Sequence, residues 1–385
     1  MEWTLIGIVG AFFIGQVYWY SRYLASPARK MRKDKKQAAV NPPSTGDLPP
    51  VSVVLCAHNE AYNISGYLQA LLTQDYPEYE VIVVDDGSED ETRAVLDQFM
   101  VHDSRLRMTF VPYGARVGST KKLALTLAAK AAKYDYLLLT DADCVPESNL
   151  WIREMMAGFE GAQGGKDIVL GFGAYFEEKG HVNRLVRFDT LFNGLHYLGA
   201  ALCGHPYMGV GRNLAYRKAL FFESGGFTKL MTKMAGDDDL FVNHVATKEN
   251  TAVVLSRASY TWSPAKKTMK EWLQQKRRHL SVSPSYKKST QFRLSLEPVT
   301  RGLFYLAVLG IGVAFALGMV SAITLYVALG LFLVRWILQT AILNVSARRM
   351  GLRRFGMFSV LWFDIVLPIV NLWMLAVPKR VKNIW

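Results

Sequence analysis

The chain has 385 residues, enough for one large domain or two ordinary ones, and 51% are hydrophobic with a mean hydropathy of +0.11, more apolar than a water-soluble enzyme. Its three cysteines, Cys56, Cys144 and Cys203, are scattered and form no C-x-x-C pair, which excludes a disulfide framework and points to a reducing compartment. The formal charge of +13 comes without a nucleic-acid-reading module; the cations cluster beside apolar runs (Arg29 to Lys36, Arg348 to Arg354), as they do at a membrane surface.

From Trp3 to Ser21 no residue is charged, about the length that crosses a bilayer, and the cations follow this run rather than precede it. That order argues for a retained span with Met1 outside and against a cleaved signal peptide. The expected divisions are an N-terminal transmembrane helix over residues 1–24, a basic cytoplasmic linker over 25–49, a catalytic domain over 50–293 and membrane helices over 294–385. Within the linker, Asn41-Pro42-Pro43-Ser44-Thr45-Gly46 should interrupt any helix.

The middle opens with Val51-Ser52-Val53-Val54-Leu55, a buried strand that ends in polar Ala57-His58-Asn59-Glu60. A helical pattern follows at Ile64, Leu68, Leu71 and Leu72. A second apolar run, Val81 to Val84, ends in Asp85-Asp86-Gly87-Ser88, and a third, Tyr136 to Thr140, ends in Asp141-Ala142-Asp143. Strands alternating with helices predict an α/β fold with a mostly parallel sheet, whose ligands sit at the carboxyl ends of the strands. All three polar tails belong to that edge.

Two aspartates one residue apart can give one carboxylate to a divalent cation while the other meets sugar or ribose. An isolated D-x-D triplet is ordinarily a solvated turn, so its place after a third strand is what gives it weight. Asp85 to Ser88 supplies acceptors for ribose or base. Asn59 and Glu60 offer polar groups at the first strand end, although Asn59 also suits a helix cap. Gly114 to Gly118, then Ser119-Thr120-Lys121-Lys122, brings cations that either meet phosphate or begin a solvated helix.

Gly302 to Val334 is uncharged, giving spans of about 302–320 and 322–345 with a turn near Gly318 to Ser321; Phe355 to Val377 is a third run. Arg335 and Asp364 interrupt these spans at a cost of about 2.5–3.5 kcal/mol each unless paired. Both lie about ten positions from the same face, so an ion pair is expected, the alternative being that each meets water or head groups separately. The cations place the catalytic domain in the cytoplasm of an integral protein of the bacterial inner membrane. The tail Lys379, Arg380 and Lys382 fits that orientation badly, and a re-entrant last segment would accommodate it.

The order Ala57-His58-Asn59-Glu60, Asp85-Asp86-Gly87-Ser88, Asp141-Ala142-Asp143, Gly236-Asp237-Asp238-Asp239-Leu240 and Gln275-Lys276-Arg277-Arg278-His279 resembles the family-2 inverting glycosyltransferases, most of all the membrane-integrated branch with cellulose, chitin and hyaluronan synthases. The resemblance implies a GT-A fold, a UDP-sugar donor, Mg2+ or Mn2+, and inversion at the anomeric carbon. By position it implies that Asp86 reads the nucleotide, Asp143 holds the metal and Asp141 lies beside the donor, with Asn59, Glu60, Lys121, Gly211, Gln275 and Arg278 also on the donor side. Asp238 matches the catalytic base and Asp237 is the second catalytic candidate; mutual repulsion within Asp237 to Asp239 should raise at least one pKa.

Gly209 to Tyr216 resembles the glycine-containing segment lining the donor and acceptor pocket. Gln275 to His279 resembles a Q-x-x-R-W signature with His279 where tryptophan belongs, which removes a stacking face for sugar. The same stretch also reads as a basic amphipathic helix on the membrane. Few spans and His279 favour transfer of one or a few sugars to a lipid-linked or saccharide acceptor over processive polysaccharide synthesis. A sugar nucleotidyltransferase would gain nothing from the spans, and an inactive sugar-nucleotide-binding protein would be expected to lack one of the acids. Partners are thus a nucleotide sugar, its acceptor and membrane lipids, with no nucleic acid.

Overall fold

The computed structural model describes residues 2–40, 48–112, 114–115, 118–160, 165–233 and 235–377. The Asn41 to Gly46 stretch, Arg116, Val117 and the tail cations Lys379, Arg380 and Lys382 lie outside the described residues.

Helix α1 (Glu2–Trp19) passes through a π-helical turn, Tyr20–Leu24, into α2 (Ser26–Val40). The basic segment assigned to a linker is therefore largely helical, because alanine, lysine, arginine and methionine favour helix and Pro27 falls in the first turn, where it removes no needed bond. The central α/β domain then runs β1 (Val51–Ala57), α3 (Ala61–Leu72), β2 (Tyr79–Asp85), α4 (Thr92–His102), β3 (Leu106–Phe110), α5 (Thr120–Ala131) and β4 (Tyr136–Leu139). It continues through β5 (Val145–Pro146), α6 (Trp151–Met156), β6 (Ile168–Leu170), β7 (Gly173–Tyr175), α7 (His181–Leu202), β8 (Leu214–Arg217), α8 (Lys218–Glu223), α9 (Asp239–Val245), β9 (Thr251–Val253), β10 (Thr261–Ser263) and α10 (Met269–Leu280).

Seven strands form the main sheet in the order β3-β2-β1-β4-β8-β6-β9. The first four are mutually parallel, whereas β8 lies antiparallel to both β4 and β6. Val51 stands opposite Tyr79 on one side and Tyr136 on the other, so β1, β2 and β4 end at one edge, with Asn59, Asp86 and Asp141 just beyond it. Every residue of β1 is buried, since both faces of the sheet are covered. Alternate residues feed two cores: Val54, Ile82, Leu137 and Leu139 face α5 and α7, while Val53, Val81, Val83 and Leu138 face α3 and α6. A second sheet, β5-β10-β7, closes the side of the cleft beside Asp143.

Among the described residues, four helical segments are long and apolar enough to cross a membrane: Glu2–Gln37, α11 (Lys288–Ala316), α12 (Ala322–Arg349) and α13 (Met357–Ala376). Helix α11 begins at Lys288, before the sequence-derived domain boundary at 293, because its amphipathic first turns run without a break into the apolar stretch. The chain reverses between α11 and α12 through Gly318, whose φ of 70° suits glycine. The expected pair is present: Arg335 Nη1 lies 2.9 Å from Asp364 Oδ2, both side chains fully buried. Asp364 also meets Arg301 at 2.8 Å, Tyr305 at 2.6 Å and Gln339 at 2.7 Å, and Arg301 meets Glu297 at 3.0 Å. Arg335 further donates to Tyr20 Oη at 2.6 Å and Gln16 Oε1 at 3.1 Å, so these four apolar segments share one polar core.

This bundle is fixed to the α/β domain. A Cβ on Gly199 of α7 would lie 2.2 Å from the Tyr23 carbonyl, so only glycine lets the π-helical turn seat there. Arg349 donates to the Ala28 carbonyl and Arg353 pairs with Glu177.

Candidate active site

Glu60, Asp86, Asp141 and Asp143 lie just beyond the ends of β1, β2 and β4, whereas Asp237 and Asp238 immediately precede α9. Around the buried Cys56 thiol at the end of β1 gather Lys121, Asp141, Asp237 and Asp86, all close enough to act on its ionisation. Lys121, in the first turn of α5, reaches Asp141 at 3.0 Å and Asp237 at 3.3 Å. Desolvation works against its charge, yet Asp141 and Asp237 hold the ammonium well above the ordinary lysine range.

Asp143 is pushed above the ordinary aspartate range by burial and then by Asp141. Asp141, Asp143 and Cys144 can each point one ligand atom to within 4.8 Å of the others. The Cys144 thiol donates to Asp143 Oδ1 at 3.5 Å and burial raises its pKa strongly, so it remains a neutral thiol and the hard oxygens are the two carboxylates. Such a donor pair with open positions fits an octahedral cation that keeps water and phosphate among its ligands.

The acidic run Asp237-Asp238-Asp239 meets three different surroundings. Lys121 and Lys122 hold Asp237 below the ordinary range although burial opposes them, and Arg278 of α10 adds to that effect. Burial, then Asp237, raises Asp238. Its Oδ2 accepts the Gly211 N–H at 2.7 Å and its Oδ1 the Asp239 N–H at 2.7 Å, capping α9. Gly211 thus contributes a backbone donor; an added Cβ would sit in ordinary contact, 3.5 Å from Asp238 Oδ2. Asp239 is pushed up to about 8 by burial and by Asp238, and it accepts from the Tyr286 hydroxyl at 2.8 Å.

At the first strand end, Asn59 does not cap α3. It adopts φ 57° and its Oδ1 accepts the Glu89 N–H at 2.8 Å, bracing the loop after β2. Glu60 is raised by burial and feels Asp143 and Asp141 across the cleft. Asp86 is buried, and one of its oxygens, Oδ2, has no partner among the described residues. His58 Nδ1 sits 2.7 Å from the Asp86 carbonyl.

Gln275 donates to the Tyr175 hydroxyl at 3.2 Å, and the Tyr175 ring lies under the Arg212 guanidinium, 4.2 Å away. Arg212 donates to the Gly173 and Ala174 carbonyls and to Ser263 Oγ, and its charge reaches Asp143. His279 is exposed on α10. Lys276 faces inward, 2.8 Å from both Asp189 oxygens, which ties α10 to α7. Lys122, read from the sequence as phosphate-facing or solvated, is neither: its side chain is fully buried because the helix turns it away from the cleft. Arg212, Tyr175 and Tyr286 carry no sequence signal of their own, although Arg212 stands within the glycine-containing segment.

The model of glycosyl transferase family 2 matches residues 52–225. The chain is 32% identical over 95 residues to the poly-beta-1,6-N-acetyl-D-glucosamine synthase of Staphylococcus epidermidis, covering 25% of this chain and 22% of that protein. It is 32% identical over 129 residues to glycosyltransferase AglE of Haloferax volcanii, covering 33% of this chain and 40% of that one. The matched regions thus span only about a fifth to two fifths of these relatives. Among solved structures, the fold is similar to that of a mannosyltransferase from Pyrobaculum calidifontis in complex with GDP-Man and Mn2+, with a TM-score of 0.53 and 19% identity over 91% of this chain and 98% of that one. Strand order, the acids at the carboxyl edge and the family match agree: residues 52–225 form a glycosyltransferase family 2 domain.

Proposed function

We propose that the protein is a membrane-bound, metal-dependent inverting glycosyltransferase that moves a sugar from a nucleotide sugar, of the UDP type, onto a lipid-linked or saccharide acceptor at the cytoplasmic face. The observation that carries this reading is the convergence of Lys121, Asp141, Asp143 and Asp238 at one sheet edge.

Asp143, with Asp141 beside it, would hold Mg2+ or Mn2+, which neutralises charge on a departing diphosphate. Asp86 offers its free oxygen to the nucleotide. Lys121 adds a positive charge that is already balanced between two carboxylates and needs little movement to reach phosphate. Asp238 takes the acceptor proton: burial and Asp237 raise its basicity, while two backbone N–H groups fix both its oxygens. Arg278 balances the acids from the α10 side.

The spans and the shared charge core support anchoring in a membrane, and α10 packs against α13 through Arg277, 5.4 Å from the Trp373 ring. This arrangement would suit an acceptor presented at a membrane surface. Similarity to a poly-N-acetylglucosamine synthase favours a second reading, processive synthesis. Four spanning segments among the described residues and the exposed His279 favour transfer of one or a few sugars.

The test is nucleotide release by the full chain in detergent with UDP-glucose, UDP-N-acetylglucosamine and GDP-mannose, each with Mn2+ or Mg2+, with and without polyprenyl phosphate. Release of free nucleotide that depends on the metal is expected. Pyrophosphate release instead would mark a nucleotidyltransferase, and long polymer would favour the processive reading.

A further inference from the structure

Lys121 and Lys122 are adjacent in the first turn of α5, and one helical step points them in different directions. Lys121 faces the acids of the cleft. Lys122 has no exposed surface, and its Nζ donates to the Lys233 carbonyl at 2.6 Å and the Ala235 carbonyl at 2.8 Å. Those carbonyls belong to the loop that runs directly into Asp237 and Asp238. Close packing secures the same loop from the same side: a Cβ on Gly118 would lie 2.3 Å from the Met231 carbonyl. The far end is held by Asp238 on the Gly211 N–H and Asp239 on the Tyr286 hydroxyl.

A buried ammonium is expensive and survives only where its hydrogen bonds are satisfied. Here the Lys122 ammonium donates to two backbone oxygens of one loop rather than to a carboxylate. We infer that Lys122 is a positioning residue that sets where the Asp237 and Asp238 carboxylates stand relative to Asp141 and Lys121. This rests on the reading of Asp238 as the base. Removing the ammonium lets the loop relax toward solvent, and a displacement of about 1 Å at a reacting group can cost on the order of 100-fold in rate while leaving binding intact. The nucleotide side of the cleft, built on Asp86 and the loops after β1 and β2, is anchored independently of this loop.

The experiment compares full-length wild type with Lys122→Met, Lys122→Arg, Gly118→Ala and Asp238→Asn in detergent, following nucleotide release from UDP-N-acetylglucosamine and GDP-mannose with Mn2+. Lys122→Met should lose about 10- to 100-fold in kcat with the donor KM changed by less than about threefold. Lys122→Arg, which keeps charged donors, should recover part of that loss. Gly118→Ala, which pushes the loop without touching Lys122, should show the same split and keeps the test open if Lys122→Met fails to fold. Wild-type kcat in Lys122→Met or Gly118→Ala, or a loss shared equally between kcat and KM, overturns the inference. Full activity in Asp238→Asn overturns the base assignment instead, whatever Lys122→Met does.

Discussion

Asp238 and Asp239 are adjacent, similarly buried and chemically different. Asp238 is held by two backbone donors beside the cleft, and Asp238→Asn should reduce turnover by about 10²- to 10⁴-fold, the range for a positioned base, with little change in nucleotide binding measured by titration. Asp143→Asn should lose about 10²-fold or more and weaken Mn2+ binding, read from the paramagnetic broadening of bound metal. Asp239 answers to stability. Its folded pKa of about 8 lies above the ordinary 3.8, so folding takes up a proton; that stability is complete below the unfolded value and is lost as pH rises toward 8. Melting temperature should fall across that window in wild type and fall less in Asp239→Asn; parallel curves would remove the assignment.

At this scale the sequence was informative where an acid directly follows an apolar run, because a strand end and its chemistry are then written side by side. Asp86, Asp141 and Asp143 are of that kind. Lys122 was not legible, since a lysine that holds a loop and a lysine in water are the same letter, and only the direction imposed by α5 separates them. Tyr286 lies 47 positions from the Asp239 that it serves.

Helix α10 shows how far an element can be read. Its stretch Gln275 to His279 reads as a basic face laid on lipid, but Lys276 is buried and paired with Asp189 of α7, and Trp272, one turn before it, is buried too. Breaking such a pair leaves an uncompensated charge, so Lys276→Met or Asp189→Asn alone should cost about 3–5 kcal/mol, and the double variant distinctly less than the sum. Additive losses in a double-mutant cycle would show that the pair does not fasten the helix. The parallel strands β1, β2 and β4 were legible from their apolar runs. The antiparallel β8 was not, because its direction is set by the path of α7 and the Gly209 to Asn213 turn rather than by its own four residues. Strand β3 was missed as well: at the sheet edge only Leu106 is fully buried, and the strand lacks an apolar run.

In the whole molecule, two arginines and two acids, Arg301, Arg335, Glu297 and Asp364, neutralise one another among the apolar helices. The sequence supplied the Arg335 and Asp364 pair because both interrupt apolar runs at matching depth; Arg301 and Glu297 stand before the uncharged run and carry no such interruption. Asp364→Asn should leave both arginines under-compensated and cost about 3–5 kcal/mol, seen as an earlier thermal transition in detergent, whereas unchanged melting would mean the core is wet. The same bundle grips α7 at Gly199, which fixes the cleft relative to the four apolar helical segments.

The central claim is that the acids at the sheet edge transfer a sugar from a metal-bound nucleotide donor. It is tested most directly by nucleotide release from the purified full chain with Mn2+ and the three nucleotide sugars, in wild type, Asp143→Asn and Asp238→Asn. The account predicts release from at least one donor that is abolished by chelation and falls at least about 100-fold in each variant. Release unaffected by chelation, or full activity in either variant, would contradict it.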